Sequence, residues 1–453
     1  MRVIVVGGGI AGLTTAYDLA RAGVDVALYE ADHRLGGKIR TTPFAGLPAV
    51  DCGADAFLAR VPWAVELSRE LGFGDELISP ASGTAYIYTR GELRGIPMPN
   101  LLGVPLDLDA LRASGIVSPA AVEIAARDLD RSVDHAMPEG DESLGSLVRR
   151  RLGDEVLERL VDPLLGGIYA GDADRLSLAA GAPQIAAAAR TDASLIRALD
   201  TQRRAALRAN PGAPVFFAPP DGMSRLVREL EKALARKVFR NREVTHIERD
   251  NAGWVVDGTR ADAVVFATPA YVTARVLRDV APVTAGHLSN IEYAGVALVT
   301  MAFARDAIGV PLDASGFLVP KPEHLTLTAC SWSSTKWPHL DKGEHAIVRA
   351  SAGHYGNESA LALDDHALVE AMLDELRSIM RLRDEPIEVR VSRWPASFPQ
   401  YTPGHIERVD ELTATLRDEA PGVVVTGAAY RGIGIPALAR AARETATLVR
   451  STR

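Results

Sequence analysis

The sequence predicts an α/β fold, α+β over its whole length. A discontinuous Rossmann-like dinucleotide-binding domain is joined by a mixed-sheet second domain and an inserted helical domain. Three observations predict this. An apolar strand at the start of the chain runs into a glycine turn and an amphipathic helix. A long stretch with helical periodicity and few strand signals then interrupts the strand-rich pattern. A second strand, glycine turn and helix closes the chain.

The opening unit is specific because its parts agree. Val3-Ile4-Val5-Val6 leads into Gly7-Gly8-Gly9-Ile10-Ala11-Gly12, and Glu30 ends a second apolar run eighteen positions after Gly12. Gly7 permits a tight turn, Gly9 lets the backbone approach a pyrophosphate, and Gly12 lets the helix pack close to the sheet. Ile10 and Ala11 open the helix, whose free N–H groups and dipole favour an anion. Glu30 is placed to accept from a ribose hydroxyl and to repel a 2′-phosphate. Arg34-Leu35-Gly36-Gly37-Lys38 adds a second glycine pair with basic neighbours, more N–H groups and positive charge for a diphosphate.

Composition narrows the class. The chain has 453 residues, enough for two or three domains, with 47% hydrophobic and 24% charged residues. A net charge of −8 argues against nucleic acid as a partner and against strong attraction to anionic lipid. Cys52 and Cys330 are the only cysteines, which suits buried thiols in a reducing compartment better than a disulfide framework. The ten histidines show no ligand spacing, so no metal is expected. No signal peptide opens the chain, and no apolar run reaches the ~18 residues of a spanning helix. The longest are Leu176 to Ala189 and Tyr293 to Ala304. The expectation is a cytoplasmic protein with no transmembrane segment. A peripheral contact through an apolar helical face stays compatible with it.

The elements follow in order. A helix is expected around Trp63 to Leu71, and a hairpin over Tyr86 to Arg94 with its turn at Arg90-Gly91. Residues 104–208 read as a helical insertion. Val215 to Ala218, Glu243 to Glu248, Gly253 to Val256 and Ala261 to Pro269 read as strands, with a helix from Ser224 to Ala235. Strands over 293–350 and 387–394 make a mostly antiparallel second sheet. Val423 to Val425 leads through Thr426-Gly427 and Arg431-Gly432-Ile433-Gly434-Ile435-Pro436 into a last helix. The expected division is 1–55, 209–285 and 395–453 for the cofactor, and 56–103 and 286–394 for the substrate. The helical block 104–208 is the candidate for a membrane-facing domain.

The order Glu30-x-x-x-Arg34-Leu35-Gly36-Gly37-Lys38 resembles the flavoprotein amine oxidase superfamily, in which this stretch wraps FAD. Four further segments resemble the FAD-dependent porphyrinogen oxidases, the protoporphyrinogen oxidases and the coproporphyrinogen III oxidases. They are Asp162-Pro163-Leu164-Leu165-Gly166-Gly167-Ile168-Tyr169-Ala170-Gly171-Asp172, Ser333-Ser334-Thr335-Lys336-Trp337-Pro338, Pro399-Gln400-Tyr401-Thr402-Pro403-Gly404-His405 and Gly432-Ile433-Gly434-Ile435-Pro436. The resemblance spans essentially the whole chain. It implies FAD as cofactor, held also at Val244, Ala267, Trp394, Gly427, Gly432, Ile433, Gly434 and Ile435.

It further implies a six-electron oxidation in haem biosynthesis, of coproporphyrinogen III to coproporphyrin III, with molecular oxygen reduced to hydrogen peroxide. Product hand-over to a haem-pathway enzyme is compatible with this. The flavin performs the hydride chemistry, so no protein acid–base triad is expected. Ile168 and Tyr169 are candidates for an apolar slot, and Lys38, Arg40, Arg60, Arg90 and Arg94 for a basic rim facing substrate carboxylates. Counting from Gly91 and Pro97, Ala85 stands where mitochondrial-type enzymes carry an arginine, which favours the Gram-positive group. Protoporphyrinogen IX oxidation is the runner-up. An amine oxidase, a carotenoid-type desaturase and a non-catalytic flavin or porphyrin carrier stay open as other classes.

Overall fold

The computed structural model describes residues 1–131, 140–251 and 253–451. The part of the expected helical block at 132–139 lies outside the described residues. A parallel sheet is built from β1 (Arg2–Val6), β2 (Asp25–Tyr29), β3 (Val238–Phe239), β4 (Ala263–Phe266) and β5 (Val423–Val425), in the order β3-β2-β1-β4-β5. Val3 lies opposite Val26 on one side and Ala263 on the other. Both faces are covered, so β1 is a continuous apolar run rather than an alternating one. Helix α1 (Ile10–Arg21) and helix α2 (Ile435–Ser451) pack against each other on one face. Val3, Leu13, Leu28, Ala439 and Val449 join a single core there.

The second sheet has seven strands and mixes directions. Its order is Glu388–Pro399, Tyr293–Ala304, His345–Ala352, Leu327–Trp332, Gly316–Leu318, Tyr86–Thr89 and Glu92–Gly95. All neighbours are antiparallel except Phe317 beside Tyr86. The hairpin turns at Arg90-Gly91, both with positive φ, as a tight two-residue turn requires. Strand Glu388–Pro399 outruns the expected 387–394. It carries Pro395 and Pro399 because it is an edge strand, where a missing N–H costs little.

The block around 104–208 is helical. Five of its helices open on Asp107, Ser118, Ser143, Ser177 and Ser194, each of whose side chains accepts from a first-turn N–H. Leu111, Leu147, Val156, Leu160 and Leu199 form its core. A wider π turn, Leu157–Val161, precedes Asp162–Tyr169. Pro163 brings no N–H and its ring clashes with a regular α turn, which favours the wider ring.

Three strand expectations shift. Glu243 to Glu248 is a strand only from Ile247, in Ile247–Asp250. Before it, the Asp257 carboxylate takes the N–H groups of Thr245 and His246 at 3.1 and 3.0 Å, so they leave no ladder donors. The stretch from Ala261 to Pro269 divides at Asp262. Thr259–Ala261 joins a three-stranded meander and Ala263–Phe266 joins the parallel sheet. The strand at Val215 to Ala218 shrinks to Phe216–Phe217, paired with Phe57–Leu58.

Among the described glycines, the closest approach to backbone is at the first turn. A Cβ built on Gly12 would lie 1.9 Å from the Gly7 carbonyl oxygen. Gly12→Ala should therefore destabilise the fold by about 1–3 kcal/mol, the usual size of overpacking. A thermal midpoint equal to wild type would contradict that packing.

Candidate cofactor and active site

The carboxyl edge of the parallel sheet gathers most of the expected cofactor residues. Gly7 has φ +107°, and its N–H donates to Tyr29 O at 2.8 Å. The Gly8 N–H donates to Glu30 Oε2 at 2.5 Å, and the Asp32 N–H to Glu30 Oε1 at 2.8 Å. Glu30 is thus held by backbone donors, and its remaining lone pairs can accept from a ligand. Helix α1 starts at Gly9 with no side-chain cap, unlike the Ser- and Asp-capped helices of the helical block. Its first N–H groups stay available for an anion. Ile10 and Ala11 are buried behind that turn.

The second glycine turn faces the first. The Gly36 N–H donates to Gly8 O at 2.8 Å, and a Cβ on Gly37 would lie 3.5 Å from Gly9 Cα. A Cβ on Gly9 would meet nothing within 4 Å. Gly9 therefore borders open space. Arg34 shapes this turn from within: its guanidinium donates to Gly37 O at 2.6 Å and to Leu35 O at 3.3 Å. Lys38 is accessible to water, with protein packed closely around it. Burial pushes its ammonium down to about 8, and among the described residues no carboxylate pairs with it. It donates to Ser397 O and lies 5.8 Å from the Phe398 ring.

The later segments close the same edge. The Ala267 N–H bonds Val6 O at 2.8 Å, and Ala267 O backs Gly7. Gly427 (φ +123°) has Ala267 O 4.0 Å from its built Cβ. Gly432 has φ +130°, Gly434 is exposed, Ile433 packs toward the helical core, and buried Ile435 opens α2. No acidic residue lies in the first turn of α2. Val244 is buried beside Tyr29 but sits in a loop, not in the expected strand. The Trp394 Nε1 donates to Cys52 O at 3.0 Å, and its ring lies 3.4 Å from a Cβ built on Gly53.

The Y-A-G-D and P-Q-Y segments meet this edge. Ala170 shares a small apolar cluster with Val296, Trp394, Phe398 and Tyr355. The Tyr169 hydroxyl donates to Gly181 O at 3.0 Å, and burial pushes it up to about 12. Its ring lies 6.0 Å from that of Tyr401. The Tyr401 hydroxyl accepts from the Gly432 N–H at 2.9 Å and donates to Ala428 O. The Gln400 Nε2 donates to Tyr169 O at 3.1 Å. Ile168 is 44% exposed, a large apolar side chain open to a ligand.

The flavin-containing amine oxidoreductase family matches residues 10–450. Similar proteins include a coproporphyrinogen III oxidase of Bacillus subtilis (strain 168), 32% identical and covering 96% of this chain and 94% of its own length. Another is a coproporphyrinogen III oxidase of Mycobacterium leprae (strain TN), 37% identical, covering 97% and 96%. A crystal structure of an Exiguobacterium sp. 255-15 protein, provisionally named a protoporphyrinogen oxidase, has a TM-score of 0.90 at 30% identity and covers 100% of this chain and 99% of its own. The chain belongs to the flavin-containing amine oxidoreductase family. It is an oxidoreductase, and FAD is its cofactor.

The residues present fit that cofactor. Open space at Gly9, uncapped N–H groups, a carboxylate fixed at Glu30 and a lysine with no carboxylate partner among the described residues are the donor and acceptor set of a dinucleotide diphosphate. Gly53, Phe398 and Tyr355 are absent from the sequence-derived set. Gly53 follows a strand with no motif around it, and Phe398 is visible only as the neighbour of Pro399-Gln400. Of the expected rim, Arg90 is paired with Glu155 at 3.1 Å and Arg94 with Glu92 at 2.7 Å. Both guanidiniums brace the hairpin. Arg40 and Arg60 are exposed, and among the described residues neither forms an ion pair. Among the described residues, Cys52 and Cys330 are buried free thiols and no helix is long and apolar enough to cross a membrane.

Two tests follow from this geometry. Gly9 has φ −72° and ψ 175°, which valine adopts readily, so Gly9→Val should fold with a wild-type thermal midpoint of the cofactor-free protein. It should nevertheless purify colourless; a fully yellow variant would displace the diphosphate from this turn. The second concerns His405, whose Nε2 bonds Tyr430 O at 2.8 Å and whose ring stacks on Tyr401 at 4.1 Å. Burial pushes its pKa down to about 4. The unfolded value is higher, so the folded state binds fewer protons in between. Stability from this site is full above about pH 6.5 and falls by up to about 3 kcal/mol toward pH 4. The stability gap between wild type and His405→Gln should shrink over that range; a pH-independent gap in denaturant melts would contradict it.

Proposed function

We propose that this chain is a coproporphyrinogen III oxidase, converting coproporphyrinogen III to coproporphyrin III. The observation that carries the reading is similarity over nearly the full length to coproporphyrinogen III oxidases of separate genera at 32% and 37% identity. Six electrons leave the substrate, and three dioxygen molecules accept them to give three hydrogen peroxide. Bound FAD supplies two-electron hydride acceptance in each of three rounds.

The chain's own groups bind, orient and exclude water. The first-turn N–H groups at Gly9 to Gly12, with Gly37 and Lys38, take the diphosphate, Gly36 holds the second turn against Gly8, and Glu30 takes a ribose hydroxyl. Trp394, Phe398, Val296 and Ala170 offer an apolar wall to a flat macrocycle, and Ile168 adds exposed apolar surface. Tyr169 is tied through its hydroxyl and carbonyl, so it shapes the slot and donates no proton to substrate. With Arg90 and Arg94 committed to carboxylates and Lys38 at the diphosphate, Arg40 and Arg60 are the rim cations left for propionates. In this reading residues 1–55, 209–285 and 395–453 hold the cofactor. Residues 56–103 and 286–394 hold the substrate, under the helical block 104–208. The enzyme works in the cytoplasm and passes its product to a haem-pathway enzyme.

Protoporphyrinogen IX is the second reading, favoured by the name given to the Exiguobacterium protein. Turnover on both porphyrinogens in air, with peroxide measured, decides between them. We expect higher kcat/KM on coproporphyrinogen III and three peroxides per porphyrin. Preference for protoporphyrinogen would select the second reading. Flavin that stays unbleached on anaerobic mixing with either would mark a carrier, and peroxide from polyamines alone an amine oxidase.

A further inference from the structure

Among the described residues, the hydrogen bonds and ion pairs of the Ser333-Ser334-Thr335-Lys336-Trp337-Pro338 loop reach none of the expected cofactor residues, and two of them converge on one carboxylate. Lys336 Nζ lies 2.9 Å from Asp55 Oδ2, and the Trp337 Nε1 donates to the same oxygen at 3.1 Å. Ser334 Oγ accepts from the Ile347 N–H at 2.7 Å, which ties the loop to strand His345–Ala352. From that strand Arg349 reaches Asp55 at 3.3 Å and donates to Gly53 O at 2.8 Å. The Cys52–Gly53 segment is thereby gripped from two sides. Arg349 holds Gly53 O, and Trp394 holds Cys52 O at 3.0 Å. The grip is tight, because a Cβ on Gly53 would lie 2.7 Å from Lys38 O and 3.4 Å from the Trp394 ring.

We propose that Asp55 and Arg349 are positioning residues that set the flavin-facing edge formed by Lys38, Gly53 and Trp394, and that the S-S-T-K-W-P loop is the bracket holding Asp55. This rests on the reading that FAD lies against Lys38 and its neighbours. The charge balance supports it. Burial pushes the Asp55 carboxyl up, but Lys336 and Arg349 outweigh burial and hold it below the ordinary carboxylate range. Asp55 is therefore ionised and paired with both cations, and Arg349 is free to turn its other nitrogen to Gly53 O. A lysine at 349 could pair with Asp55 but lacks the fork needed to reach both acceptors.

The test uses purified holoenzyme of wild type, Arg349→Met, Arg349→Lys and Asp55→Asn. Arg159→Met is the control, because Arg159 forms a similarly sheltered ion pair with Glu323 at 2.6 Å, held apart from the Gly53 grip. FAD dissociation constants and the visible flavin spectrum are read beside thermal midpoints. We expect Arg349→Met and Asp55→Asn to raise the FAD dissociation constant tenfold or more and to shift the flavin bands. Arg349→Lys should fall between these and wild type. Arg159→Met should lower the midpoint and leave both flavin readouts unchanged. Wild-type affinity and spectrum in Arg349→Met and Asp55→Asn would overturn the proposal. So would flavin changes no larger than those of Arg159→Met. If either variant fails to fold, Arg349→Lys decides: an unaltered dissociation constant overturns the proposal. A wild type that retains no flavin would instead refute the cofactor reading beneath it.

Discussion

The constraint on which the rest of the structure depends is the close approach of Gly12 to the Gly7 carbonyl. No side chain fits there, since a Cβ would lie 1.9 Å from that oxygen. The absence of one lets α1 start directly over the end of β1. Ala267, at the end of β4, then backs the same turn from the other side. Gly36 and Gly37 close over Gly9, and the chain's last glycine turn arrives beside them from β5. Four stretches of the chain thus meet at one sheet edge. The α1 helix opens there uncapped, while five helices of the helical block satisfy a first-turn N–H with serine or aspartate. Uncapped N–H groups at a water-accessible edge suit an anionic ligand.

Apolar burial makes each layer, but polar contacts lock the layers to one another. The Tyr401 hydroxyl bonds both sides of the closing glycine turn, while its ring lies between His405 and Tyr169. Gln400 carries the link to the end of the Asp162–Tyr169 helix. Asp55 does the same between the strand Leu47–Asp51, which precedes it, and the seven-stranded sheet. Removing one partner of such a contact leaves a buried polar group unpaired, which costs more than the bond itself contributes. These residues therefore govern relative placement more than the stability of any one layer.

That distinction separates what was legible from what was not. Val3 to Gly12 and Glu30 were legible because strand period, glycine spacing and a terminal acid are local signals. The closing turn at Gly432 to Ile435 was legible for the same reason, and the helical block by its periodicity. Glu243 to Glu248, Val244 included, reads as a strand from its composition; Asp257, eleven residues beyond His246, takes the donors that strand would use. Arg90 and Arg94 read as candidate ligands because an isolated arginine carries no sign of its partner. Glu155 lies sixty-five residues from Arg90 and belongs to a different layer.

The sequence by itself determined the cofactor unit, the order of sheet and helical segments and the family, because each rests on spacing within a short stretch or on motifs in order. Only the tertiary structure decided which side chains meet. It joined Lys38 to Phe398, Gly53 to Trp394, Tyr401 to Gly432, and Asp55 to Lys336 and Arg349. Each of these pairs spans a different element, and a pairing between elements is set by how whole layers dock, which no local pattern encodes.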